Sequence, residues 1–211
     1  KTFNNSYSDI DTKAFDPSLN QDIREDLLIS AILKIPHYYK GLPHKRFKSD
    51  RDFLVTINGG LDKHITFADL LINSNYFFFR EKIIPQFEYY KNIYLVANYR
   101  AKPIKILEKA KHIKIPDNFF SDYQRVKNYT LEKLLDIPSG SLVLSSASSL
   151  SNVVGSQLFK IRNDITFIDV GTAINDLISL EKITRSYHET YFSSGFKSFL
   201  RRLRPSFYIR W

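Results

Sequence analysis

Ser141-Leu142-Val143-Leu144-Ser145-Ser146-Ala147-Ser148-Ser149-Leu150-Ser151-Asn152 is the stretch on which the fold turns. Its apolar start, Ser141 to Ser145, reads as a buried strand. Ala147 to Asn152 is a turn of small residues, and Val153 to Phe159 then reads as a helix. The same grammar repeats on both sides. Ile93 to Ala97 is a buried-type strand, followed by the turn Asn98-Tyr99-Arg100 and a helix over Lys102 to Lys109, with Pro103 in its first turn. Ile113 to Ile115 is a strand closed by Pro116, and Tyr129 to Leu135 is helical after an aromatic, polar loop over 117–128. Thr166 to Val170 is a further strand, ending at Gly171. Strands alternating with helices at this pace imply βαβ units, a parallel sheet and an α/β fold. Ligands of such sheets bind beyond the carboxyl ends of the strands.

The first half is less regular. A helical pattern runs from Leu19 to Pro36 through Ile23, Leu27, Leu28, Ala31 and Ile32, with acidic residues in its early turns. Tyr38 to His44 reads as an aromatic loop fixed by Gly41 and Pro43. Phe53 to Ile57 reads as a strand ending at Asn58-Gly59-Gly60. Thr66 to Ile72 is expected to be helical, Asn73 to Tyr76 to break it, and Phe77 to Phe87 to form a second apolar helix that kinks near Pro85.

The residues after the strands are the candidates for chemistry. Ser145 to Asn152 brings small residues and hydroxyls to a helix N-terminus, which suits a phosphate. It contains neither a G-x-G-x-x-G fingerprint nor a Gly-Lys-Ser/Thr loop, and an ordinary serine-capped turn explains it equally well. Asp169, at the end of a hydrophobic strand and before Gly171, can contact a sugar hydroxyl, hold a metal or act as a base; capping the next turn is the alternative. The asparagines of Asn73-Ser74-Asn75-Tyr76 can orient a ligand or supply turn geometry. Arg185 can meet a phosphate or simply be a surface arginine. The five histidines lack metal-ligand spacing.

Composition bounds the rest. The chain has 211 residues, a size that buries a substantial core. It has no cysteine, which excludes disulfides, zinc–thiolate sites and thiol nucleophiles. No apolar run approaches transmembrane length. Methionine is absent, so Lys1 is not expected to be a translation start. The net charge is +9, and five of those positive charges lie in residues 197–211, which mix basic and aromatic residues without an acid. The expected organisation is an α/β domain over 1–196 and a basic, aromatic tail over 197–211. That tail suits an anionic membrane interface or nucleic acid, a solvated tail or a contact with a further domain being the plain alternative.

The order of these segments resembles the bacterial glycosyltransferases of the GT-D fold. The residues that carry the resemblance are Tyr38-Tyr39-Lys40-Gly41-Leu42-Pro43, Asn73-Ser74-Asn75-Tyr76, Ile93 to Asn98, Ile115-Pro116, Ser145 to Asn152 and Ile168-Asp169-Val170-Gly171. The resemblance spans roughly residues 15–190 and rests on order and spacing. It implies a Rossmann-like parallel sheet flanked by helices. It implies a transferase that moves a sugar from a nucleotide-activated donor to a glycan or lipid-linked acceptor in surface polysaccharide or glycoconjugate synthesis. Asp169 is the expected catalytic residue. Gly41, Asn75, Asn98, Ser148, Ser149, Ser151, Asn152, Gly171 and Arg185 are the expected nucleotide-sugar contacts.

Family members hold a divalent metal, Mn or Mg, with an Asp-x-Glu motif before the first helix. No such motif stands there in this chain, and Ser8-Asp9-Ile10-Asp11 is the nearest pattern; either the motif lies upstream of Lys1 or this chain has lost it. The expected location is cytoplasmic, with the basic, aromatic segment 197–211 as a peripheral contact at the inner face of the cell membrane, and nucleic acid is not expected as a partner. Two other readings stay open at this point. One is a non-catalytic module binding nucleic acid or an anionic polymer, and the other is a degenerate transferase domain of a larger protein.

Overall fold

The computed structural model describes residues 16, 18, 20–180 and 185–192. The chain begins with α1 (Gln21–Ile32), then β1 (Lys40–Leu42), α2 (Lys48–Ile57) and β2 (Ile65–Phe67). A one-turn α3 (Tyr76–Phe78) passes into a π-helical turn, Phe79–Ile83, and a 3-10 helix, Ile84–Tyr89. The regular half follows, with β3 (Ile93–Asn98), β4 (Lys111–Ile115), α4 (Tyr123–Leu135), β5 (Leu142–Ser146), α5 (Ser149–Phe159), β6 (Thr166–Asp169) and α6 (Ser186–Phe192).

Four strands form one parallel sheet in the order β4-β3-β5-β6. The chain leaves β3 on one side for β4 and returns on the other for β5, so the strand order switches between β3 and β5. Alternate residues point to opposite faces. Val96, Ile113, Ile115 and Val143 meet α1, α4 and α5 on one face. Leu95, Ala97, Leu142 and Leu144 meet the helical segment from Tyr76 to Phe87, the chain after β6, and Tyr187 of α6 on the other. Burial on both faces explains why β5 reads as a continuous apolar run rather than an alternating one. β1 and β2 pair in parallel as a separate two-stranded sheet, with α2 as their connection. The molecule is thus α/β, with parallel sheets flanked by helices, and compatible with a Rossmann-like fold. Among the described residues no helix is long and apolar enough to cross a membrane.

The second half follows its sequence pattern, and the first half departs from it. Phe53 to Ile57 is the end of helix α2, not a strand. A five-residue apolar run fits either period, and here the charged residues before it extend it into a helix with a Lys48–Asp52 ion pair one turn apart. The aromatic loop over 38–44 contains β1, because Lys40 to Leu42 find a partner strand in Ile65 to Phe67. That pairing also turns the start of the expected helix over 66–72 into β2, leaving a 3-10 turn at Ala68–Leu71. The helix expected over 102–109 is only the 3-10 turn Lys105–Leu107, with Lys105 at φ 53°. Helix α4 begins six residues earlier than expected, at Tyr123, because Tyr123 and Val126 supply buried positions of its stripe. Helix α5 begins at Ser149 rather than Val153. Pro85 does mark a change in helix type, lying in the first turn of the 3-10 segment. The tail over 197–211 and Ser8-Asp9-Ile10-Asp11 lie outside the described residues.

Candidate functional site

A cleft of about 780 Å³ opens between the carboxyl end of β6, the start of α5, α1 and the β1–β2 unit. Three stretches distant in sequence meet in it: Tyr38 to Gly41, Ser149 with Asn152, and Phe167 to Thr172.

Asp169 ends β6 and is the one carboxylate among the described residues lining the cleft. Solvent reaches it through the open mouth, but surrounding protein strips much of its hydration. Burial pushes its carboxyl up to about 6, while the Gly171 N–H and the Ser151 hydroxyl pull it part of the way back. The Gly171 N–H donates to Asp169 Oδ1 at 3.1 Å. Gly171 makes this tight return at φ 49°, a left-handed backbone that suits glycine.

Behind Asp169 lies a pair of buried hydroxyls. Ser145 sits opposite Asp169 across the β5–β6 ladder, and its Oγ is 2.8 Å from Ser151 Oγ. Ser151 Oγ also accepts the Ala147 N–H at 3.2 Å. When Ser145 donates to Ser151, both acceptor positions of Ser151 are filled, and its own proton faces the carboxylate. Ser151 therefore belongs to the support of the site and does not line the cleft.

Ser148 precedes α5 with φ 56° and ψ −140°, a conformation that serine seldom adopts and that is costly outside glycine. It makes no side-chain capping bond. The first N–H groups of α5 thus lack a side-chain cap, and Ser149 Oγ is buried without a hydrogen-bond partner. A helix N-terminus left in this state suits an anion.

The opposite wall is made by β1 and its neighbours. Gly41 is required there by close approach, since a Cβ would stand 3.0 Å from the Ala68 Cα and 3.1 Å from its nitrogen. The Tyr38 hydroxyl donates to the Ser30 carbonyl at 3.4 Å. Burial, and to a lesser degree the charge of Asp169, pushes the Tyr38 phenol up to about 12. Lys40 lines the cleft, but its ammonium is turned inward, donating to the Leu33 carbonyl at 2.9 Å and to Asn58 Oδ1 at 2.5 Å. It is not placed to meet a ligand phosphate.

Of the expected site residues, Gly41, Ser149, Asn152, Asp169 and Gly171 line the cleft. The others stand elsewhere. Asn75 Nδ2 donates to the Asp69 carbonyl at 3.0 Å. Asn98 Nδ2 donates to Asp117 Oδ1 at 2.7 Å, beyond β3. Arg185 is exposed before α6, its backbone N–H donating to His188 Nδ1 at 3.1 Å. Ser148 and Ser151 flank the site without lining it. Tyr38 and Thr172 line the cleft without a role assigned from the sequence. Thr172 Oγ1 lies 2.6 Å from the Tyr187 hydroxyl, joining the cleft edge to α6.

Among the described residues no group of three or more His, Cys, Asp or Glu could hold a metal ion. The single carboxylate among the described residues lining the cleft does not by itself make a cage for Mn or Mg. In comparisons with protein-family models, curated proteins and solved structures, nothing matches this chain. The class of the molecule therefore rests on its own geometry: a parallel α/β protein with a cleft at the carboxyl edge of its sheet.

Proposed function

We propose that the chain is a glycosyltransferase domain of the GT-D type that takes a sugar from a nucleotide diphosphate donor. The observation that carries this reading is the convergence of Asp169, Gly171, Ser149, Asn152 and Gly41 on one cleft at the carboxyl edge of a parallel sheet. The uncapped start of α5 is suited to the donor diphosphate, with Ser149 Oγ as an additional donor. Asp169 serves as base or sugar contact. In the transfer step the acceptor hydroxyl gives its proton to Asp169 as its oxygen bonds to the anomeric carbon. The bond from that carbon to the diphosphate oxygen breaks at the same centre. A carboxyl titrating near 6 is ionised at neutral pH and basic enough to share the proton. Tyr39, Phe67 and Phe167 supply aromatic surface for the nucleoside.

Isothermal titration with UDP-glucose, GDP-mannose and dTDP-glucose, each with and without Mn²⁺, tests the reading. At least one donor is expected to bind and to raise the melting temperature. Saturable binding of an oligonucleotide with every donor inert would overturn it.

A further inference from the structure

The apolar wall of the cleft continues onto the outer surface. Among the described residues, eight of the fifteen exposed large hydrophobic residues fall between positions 28 and 70, each 40–60% accessible. They include Leu28 and Ile32 on α1, then Tyr39, Phe47, Leu61 and Leu70. Helix α2 carries Phe53, Leu54, Val55 and Ile57 and yet has no buried residue. A helix of that composition ordinarily buries one stripe against its own core. The patch starts at the cleft mouth, where Leu27, Ala31, Leu54 and Leu70 form part of the lining.

The same region carries an excess of basic residues. Residues 28–70 hold seven Lys or Arg against four Asp, with Glu25 an exposed acid one turn before Leu28 on α1. Lys34 pairs with Asp62, Lys48 with Asp52, and the Lys40 ammonium is turned inward. Lys45, Arg46 and Lys63 remain exposed. The Arg46 guanidinium lies 4.7 Å from the centre of the Phe47 ring, so a cation and an exposed aromatic stand together.

We propose that this surface, made by α2, the chain on either side of it and the outer face of α1, docks on an anionic lipid membrane. An interface of that kind rewards aliphatic burial and positive charge together. Single-stranded nucleic acid uses cations and aromatic rings but gains little from Leu28, Ile32, Leu61 and Leu70. Charge complementarity thus selects an anionic partner, and the aliphatic share selects a bilayer. Docking in this way places the cleft mouth beside the membrane. The inference concerns docking and does not depend on the transfer reaction.

Flotation of the full chain with vesicles tests it. One set is phosphatidylcholine alone, and the other contains phosphatidylcholine and phosphatidylglycerol in equal parts. Binding is expected to the anionic set and to fall between about 0.1 M and about 0.5 M NaCl. Lys45→Glu with Arg46→Glu is expected to cut the bound fraction about tenfold, since each cation near the surface carries a sizeable share of the attraction. Phe47→Ser with Leu61→Ser is expected to weaken it about fivefold. All four positions are exposed, and a far-UV spectrum matching the parent shows that the variants fold. Both variants are expected to keep the parent's affinity for a nucleotide sugar, which separates docking from donor binding. Equal flotation of charge-reversed and parent chains, no flotation with anionic vesicles, or binding only to an oligonucleotide would each overturn the proposal.

Discussion

On the β5–β6 side of the cleft the polar groups are fixed by hydrogen bonds. Ser145, Ser151, the Ala147 N–H, Asp169 and the Gly171 N–H form one connected set, with Ser145 and Ser151 buried. On the β1–α2–β2 side the surface is aliphatic, aromatic and basic, and much of it is exposed. Two walls of one cavity thus differ in what they present. Rigid placement of polar groups suits a group that must meet a reacting atom. An exposed amphipathic surface suits a partner whose own surface is extended.

Asp169→Asn should have the largest effect. If Asp169 is the proposed base, its loss is expected to lower kcat/KM by about 10²–10⁴-fold in a sugar-transfer assay, while donor affinity stays within about threefold. On the proposed reading, transfer by the parent chain should slow as pH drops through about 6, where the carboxylate takes up a proton. Stability should move the other way. A carboxyl whose folded-state pKa lies above its ordinary 3.8 is charged against its preference at pH 8, and that cost fades as pH falls through 6 toward 4. Because solvent reaches Asp169, the cost is about 1 kcal/mol or less rather than the full conversion of the shift. Asp169→Asn should therefore melt about 2–4 °C higher than the parent at pH 8. The gap should close near pH 4. Undiminished turnover by this variant would remove Asp169 from the chemistry.

Ser151→Ala tests the support rather than the reacting group. It strands the Ala147 N–H and the Ser145 hydroxyl, both enclosed in protein, which costs about 1–3 kcal/mol in urea unfolding. The Ser151 hydroxyl favours ionised Asp169, so its loss should move the acid limb of the pH–rate profile upward. Ser151→Thr should restore the limb. A stability loss with an unmoved limb would make Ser151 structural only.

How far the sequence discloses this architecture differs between the same two walls. β3 and β5 are legible because each is an apolar run bounded by turn residues and buried on both faces. β4 and β6, the edge strands, are only partly buried and are marked instead by short apolar stretches that end at Pro116 and before Gly171. Asp169 is legible as a site because a carboxylate at such a strand end is costly without a purpose. β1 and β2 are not legible, since a three-residue strand exists only through its partner, and that partner lies more than twenty residues away. The helical nature of Phe53 to Ile57 is hidden for a related reason. Its run is too short to show a period, and no buried stripe marks it. Tyr38 stands in an aromatic motif and Thr172 directly follows Gly171, but no individual role is legible for either, because their places in the cleft come from contacts across the fold.

Gly41→Val probes the second wall where it meets the first. The new Cβ would meet backbone atoms of Ala68 rather than a side chain that can move aside. β1 must shift or the pairing with β2 must loosen, at about 1–2 kcal/mol in urea unfolding. Donor affinity should fall about threefold to tenfold, because the cleft narrows at Lys40 and Gly41. An unchanged affinity with lowered stability would show that the ligand does not use this wall.

Asn98→Ala is expected to do least, and it is informative for that reason. Asn98 stands at the end of β3, beside the point where the strand order switches, which is the conventional place for a ligand in such sheets. Its amide is nevertheless already engaged. Nδ2 donates to Asp117 at 2.7 Å, and Oδ1 accepts the Arg100 backbone N–H at 2.9 Å. Arg100 and Asp117 also pair with each other, so the group closes on itself. The cleft, meanwhile, is lined from β6 and α5 and not from β3. Removing the amide should cost about 1 kcal/mol or less, because its partners are substantially exposed. Donor affinity should stay within about twofold. A tenfold loss of affinity would mean that the bound donor reaches across β5 to β3, and the division of the site into one fixed wall and one docking wall would then need a third element.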